Sequence, residues 1–151
     1  MTSISNALLN KQDIEQRLPH AGKMSLLHKV IRSDQNSLTA QAISHMESDN
    51  PLRIEGKIAM VNGIEYAAQA MAVHGSLLSE TRAGYLATVR NIDIKVPYFP
   101  ETGSPLIIAV QLLMSNDNGF TYQFHLSCEQ QSLISGKITV FLTHTDSLQE
   151  Q

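Results

Sequence analysis

Glu65 is the single acid of a long uncharged stretch, because no other Asp, Glu, Lys or Arg occurs from Ile58 to Ser79. It stands in the run Gly63-Ile64-Glu65-Tyr66-Ala67-Ala68-Gln69-Ala70-Met71-Ala72. Alanine and methionine favour helix, and a helix that is apolar nearly all round belongs inside a protein. A lone buried carboxyl is costly unless hydrogen-bonded, and desolvation favours its neutral form. A neutral carboxyl can hand a proton to a leaving group, whereas an ionised one can activate water or attack directly. Gln69 follows four residues later, on the same face one turn on, where it can hold Glu65 or a polar group of a ligand. The structural alternative for Glu65 is a buried ion pair with Arg53, Arg82 or Arg90, although such pairs are a doubtful source of stability.

Six histidines are available as bases or ligands. His20 lies in a Pro-His-Ala-Gly loop, a setting that leaves a side chain free, and His45 lies in a polar loop. His74 is nine residues past Glu65, about 900° around a helix, and so falls on the opposite face. His125 falls on the polar face of a strand, and His28 and His144 have no clustered partner. No histidine pair shows ligand spacing beside a carboxylate, so neither a metal nor another cofactor is expected. The single Cys128 excludes an internal disulfide and a multi-cysteine zinc site, and shares a face with Phe124 and Leu126, as a small core residue does.

These groups are carried by 151 residues, 42% apolar and 17% charged, which fits one domain over residues 1–151 with frayed ends at 1–12 and 145–151. A net charge of −3 and scattered Lys and Arg argue against nucleic acid as a ligand. No stretch is apolar enough to span a membrane and residues 1–10 lack the basic start of a signal peptide, so a cytoplasmic location is the default expectation.

The pattern predicts a loose start over 1–12, in which Ser5 or Asn6 can cap a short turn, then one helical turn at 13–17 stopped by Pro19. It predicts a β-hairpin of 24–31 and 38–43 about the Ser33-Asp34-Gln35-Asn36 turn, a polar irregular loop at 44–56, and the helix at about 58–78. Strands are expected at 85–96, 106–114, 120–128 and 137–143, with Asn116-Asp117-Asn118-Gly119 as a hairpin turn and Ser135-Gly136 as a break. One buried helix and several long antiparallel strands give an α+β layer architecture.

Leu18-Pro19-His20 with Met24-Ser25-Leu26-Leu27-His28-Lys29-Val30, and then Gly63-Ile64-Glu65-Tyr66-Ala67-Ala68-Gln69, resemble two motifs of the hotdog-fold 3-hydroxyacyl-[acyl-carrier-protein] dehydratases. The likeness spans residues 14 to 144, and the wording around Glu65 is most similar to the ApeP-like dehydratases of aryl-polyene pigment clusters. It implies a hotdog fold, in which a long central helix is wrapped by a curved antiparallel sheet, and a homodimer or a heterodimer with a related hotdog subunit. It implies an acyl thioester substrate delivered by an acyl carrier protein and dehydrated to the trans-2-enoyl form. Glu65 would be the acid, helix-start amides such as that of Gly63 would hold the thioester oxygen, and Met60, Ile64 and Met71 would line the acyl tunnel. Gly63 is otherwise a close-packing residue, since a helical glycine costs about 1 kcal/mol relative to alanine. Lys23, Lys57 and Arg82 are candidates to meet an acidic carrier, and the strand at 85–96 is the expected dimer edge.

The chain departs from that family at one point. The family's base, a histidine fourteen residues before the carboxyl, falls on Pro51, flanked by Asn50 and Leu52. Three explanations stand side by side: His20 or His45 replaces it, a related subunit supplies it across a dimer interface, or the domain is non-catalytic and binds acyl chains or a partner. Hydrolysis of an acyl thioester is a further enzymatic alternative within the same fold.

Overall fold

In the computed structural model, residues 8–18, 22–78 and 84–142 are described, excepting the side chains of residues 23 and 84–86. Asn10 opens helix α1 (Lys11–Glu15) with a capping box: its side chain accepts from the Asp13 N–H while the Asp13 carboxylate accepts from the Asn10 N–H. The expected caps Ser5 and Asn6 lie outside the described residues. Strands β1 (Lys29–Ser33) and β2 (Ser37–Ala42) form the expected hairpin. Its turn is locked by Asp34, whose Oδ1 accepts from the Asn36 and Ser37 N–H groups and the Ser37 hydroxyl.

The long helix α2 spans Gly63–Leu78, starting about one turn later than its composition predicts. The backbone of residues 58–60 is engaged elsewhere instead. Ile58 O accepts from Phe99 N–H at 2.9 Å, Ala59 bridges Tyr98, and Met60 N–H donates to Pro97 O at 2.9 Å. A backbone bonded to the distant segment 97–99 is not free to form i→i−4 bonds, so only a single 3₁₀ turn, Met60–Asn62, precedes the helix.

Four long strands follow: β3 (Gly84–Ile94), β4 (Leu106–Asn116), β5 (Gly119–Cys128) and β6 (Gln131–Leu142). They complete a six-stranded antiparallel sheet in the order β1-β2-β4-β5-β6-β3. Strand β6 begins before the expected 137 and runs straight through Ser135-Gly136, which is therefore no break. Packing favours Gly136: a Cβ there would lie 2.4 Å from Ile92 Cδ1 and 3.1 Å from the Phe124 ring, so these side chains would have to shift.

Along β5, Tyr122, Phe124, Leu126 and Cys128 are buried while Gln123 and His125 face outward, the period-two pattern of a one-sided sheet. Helix α2 covers the inner face against β2, β4 and β5. Tyr66, Met60, Ile108 and Leu126 lie fully buried between the layers, each large apolar side chain contributing about 1.5–3 kcal/mol. One long helix on one antiparallel sheet is the hotdog architecture. Strand β3 pairs with β6 on one side only. Among the described residues its other edge carries no strand, and Val89 and Ile94 are exposed along it. Among the same residues no helix is long and apolar enough to cross a membrane.

Candidate active site

The late start of α2 puts Glu65 in the first helical turn, not the middle, and leaves it half-buried where full burial was expected. A carboxylate in the first turn faces the positive end of the helix dipole, a favourable location. One turn on, Gln69 is buried and its amide is gripped on both sides by the segment ahead of β1. Its Nε2 donates to Met24 O at 2.7 Å, and its Oε1 accepts from Leu26 N–H at 2.9 Å. The same Nε2 donates to Glu65 Oε2 across a long 3.4 Å. The spacing of Glu65 and Gln69 thus produces the contact it predicts.

Beneath this lies a polar group that the sequence pattern did not reveal. Ser44, Asn50 and Tyr66 are all buried. Ser44 Oγ donates to Leu26 O at 2.8 Å and lies 2.9 Å from Tyr66 Oη. Asn50 Nδ2 donates to Ser44 O at 2.9 Å and to Tyr66 Oη at 3.3 Å, while Asn50 Oδ1 accepts from Leu52 N–H. Burial pushes the Tyr66 hydroxyl's pKa up, with the Ser44 and Asn50 hydrogen bonds opposing, so it stays protonated. The available signal was Tyr66 itself, since a tyrosine inside an apolar helix needs a partner for its hydroxyl. The partners come from a loop that composition alone marks as polar and irregular.

That loop is braced throughout. Arg53, the first of the expected ion partners of Glu65, is engaged elsewhere: it donates to the carbonyls of His45, Glu47 and Gly56 and meets Glu101 at 3.5 Å. Arg90 is exposed on β3, and Arg82 lies outside the described residues. His45 is buried near Phe99, with ring centroids 6.5 Å apart, and neither of its ring nitrogens makes a hydrogen bond of good geometry. Burial lowers its pKa and the Arg53 guanidinium adds to this, against the opposing pull of the Ser104 backbone and Glu101.

His20 and His144 lie outside the described residues. The Gly63 N–H is directed at the Met60 and Val61 carbonyls. A Cβ at Gly63 would meet Ile134 Cγ2 at 2.8 Å and Leu126 Cδ2 at 3.2 Å, which is a packing reason for glycine. Met60 and Met71 belong to the core, and Ile64 packs against it partly exposed. Lys57 caps the Tyr98 ring at 4.7 Å; the side chain of Lys23 is not among those described. Cys128 is buried, as its strand face predicts.

Several known proteins share this fold. The dehydratase heterocomplex ApeI:P from Xenorhabdus doucetiae matches with a TM-score of 0.74 and 24% identity, over 91% of this chain and 95% of that one. The Escherichia coli PaaI protein of the phenylacetic acid degradation operon matches with a TM-score of 0.56 and 14% identity, covering 74% of this chain and 80% of that one. A hypothetical thioesterase with coenzyme A from Streptococcus pneumoniae gives 0.58 and 9%, over 76% and 84%. At these identities the likeness is one of fold. No match was found among curated protein sequences. The family model described as ApeP-like, ApeP dehydratase, matches residues 12–150. By that match over nearly its whole length, the chain belongs to the ApeP-like dehydratase family.

Proposed function

We propose that this chain takes part in dehydrating a 3-hydroxyacyl thioester, carried on an acyl carrier protein, to the trans-2-enoyl form. Glu65 is the acid, and a related hotdog subunit supplies the base. The observation that carries the reading is the half-buried Glu65 in the first turn of α2, in contact with a Gln69 whose orientation is fixed. In the reaction a base removes the proton from C2, helix-start amides hold the oxygen of the developing enolate, and the Glu65 carboxyl, as the general acid, gives a proton to the hydroxyl leaving C3 as water. Gly63 and Gln69 shape the polar end of the site, and Ile64 with Met60 begins the path for the acyl chain.

Three observations favour a base from outside the chain. The family's histidine position is Pro51, and the adjacent Asn50 is turned inward on Tyr66. His45 is buried beside Phe99. The edge of β3 is free to pair among the described residues, and the Xenorhabdus doucetiae structure described above is a dehydratase heterocomplex. One observation favours His20 as a base within the chain: Gln69 grips Met24, four residues downstream of it, at the Glu65 face.

Glu65→Gln should abolish turnover with the fold intact, and an unchanged rate rejects the assignment. His20→Ala separates the two sources of base. A full rate in the presence of a hotdog partner supports the heterodimer, and total loss supports His20. Release of free thiol from the substrate, in place of a 2,3-double bond, would move the chain to the thioesterases.

A further inference from the structure

Resting on that reading, we propose that Tyr66 is a positioning residue for Glu65, acting through Ser44 and the backbone of residues 24–26. The hydrogen bonds run in one direction. The Leu26 carbonyl can only accept, so the single Ser44 hydroxyl proton points at it across 2.8 Å. Ser44 Oγ is then left to accept from the Tyr66 hydroxyl at 2.9 Å. Tyr66 Oη accepts in turn from Asn50 Nδ2 at 3.3 Å.

On its other side, Leu26 fixes Gln69. A backbone N–H faces Oε1 and a backbone carbonyl faces Nε2. Flipping the amide would set donor against donor and acceptor against acceptor, so the NH₂ end is held toward Glu65 Oε2. Glu65 and Tyr66 are neighbours in the chain, yet the helix sends them different ways. The hydroxyl goes into the core and the carboxyl to a half-buried edge. The two are linked again through Ser44, residues 24–26 and Gln69. Within it the side chains of Ser44, Asn50, Tyr66 and Gln69 all have hydrogen-bond partners, and the members of such a network act together.

Removing the Tyr66 hydroxyl leaves Ser44 without its incoming donor and free to turn away from Leu26. The grip of residues 24–26 on Gln69 then loosens, and with it the direction of the Gln69 amide. A misplacement of about 1 Å near reacting groups costs up to about 10²-fold in rate.

The test is Tyr66→Phe, which keeps the ring, with Ser44→Ala and the hydroxyl-retaining Ser44→Thr as companions. The full chain is used in the assembly that turns over, with 3-hydroxyoctanoyl-N-acetylcysteamine as probe. Y66F and S44A should lower kcat about tenfold with KM within about twofold, and S44T should restore most of it. Amide hydrogen exchange at Leu26, read on the chain without substrate, should accelerate about tenfold in Y66F. Unchanged Leu26 exchange in Y66F overturns the proposal whatever the activity, and so does faster exchange with an unchanged kcat. Failure of the dehydratase reading itself appears separately, as a full rate in E65Q.

Discussion

Helix α2 carries two polar arrangements, one near each end. Near its C-terminal end, His74 is fully buried: its Nε2 lies 2.8 Å from the Asp34 carbonyl and its Nδ1 lies 2.6 Å from Tyr122 Oη. The carbonyl only accepts, so Nε2 carries the proton and Nδ1 accepts from the tyrosine. Burial pushes the Tyr122 hydroxyl's pKa up to about 12, which keeps that donor protonated. Every polar atom there has a protein partner, so the unit fastens the helix to β5 and to the hairpin turn. At the N-terminal end Glu65 is half-buried, and the contact it receives from Gln69 is long, at 3.4 Å. A closed polar set stabilises, while a partly open one is available for chemistry.

The comparison breaks most sharply at Glu65. E65Q should reduce dehydration by about 10³-fold, in the range expected for loss of a general acid, with little change in the urea midpoint. At the other end the balance reverses. His74→Ala should cost about 2–4 kcal/mol in urea unfolding, by opening a cavity and stranding the Tyr122 hydroxyl. KM should stay near its original value in the fraction that folds. Equal effects of the two variants on rate and on stability would erase the distinction. Between the two layers, Gly136→Ala should cost about 1–3 kcal/mol, because Ile92 and the Phe124 ring would have to make room, again read from urea unfolding.

The smallest effect sharpens the contrast between two buried histidines. His74 has two hydrogen-bond partners, and His45 has none of good geometry. The pKa of His45 is lowered in the folded state, chiefly by burial. The unfolded chain therefore binds the proton more readily, with a reference pKa of about 6.5. The stability that His45 contributes is present above that value and is lost as pH falls through it toward the folded pKa. Melting temperature should fall on acidification below about pH 6.5 in the wild type and fall less in His45→Gln, measured by circular dichroism.

Parts of this organisation were readable from local sequence. The alternation from Phe120 to Cys128 marks β5, and Asn116, whose Oδ1 accepts from the Asn118 and Gly119 N–H groups, marks the β4–β5 turn. The four-residue step from Glu65 to Gln69 brought them into contact. His74 makes its contacts with Asp34 and Tyr122, apart from the Glu65–Gln69 pair. The start of α2 was not readable, since residues 58–60 look helical until Pro97 and Phe99 claim their backbone. Gly136 reads as a break because nothing local reveals the Ile92 and Phe124 side chains above it. Loop 44–56 reads as solvated, although Ser44, His45 and Asn50 are buried.

The chain by itself determined most of which segments are helix or strand, which faces are apolar, and that Glu65 and Gln69 meet one turn apart. Those are properties of periodicity and residue type, written within a few neighbours. Tertiary structure alone decided how exposed Glu65 is, which way Gln69 points, and that Tyr66 reaches Leu26 through Ser44. Each of these depends on hydrogen bonds between segments far apart in sequence, whose partners are brought together only when the helix settles on the sheet.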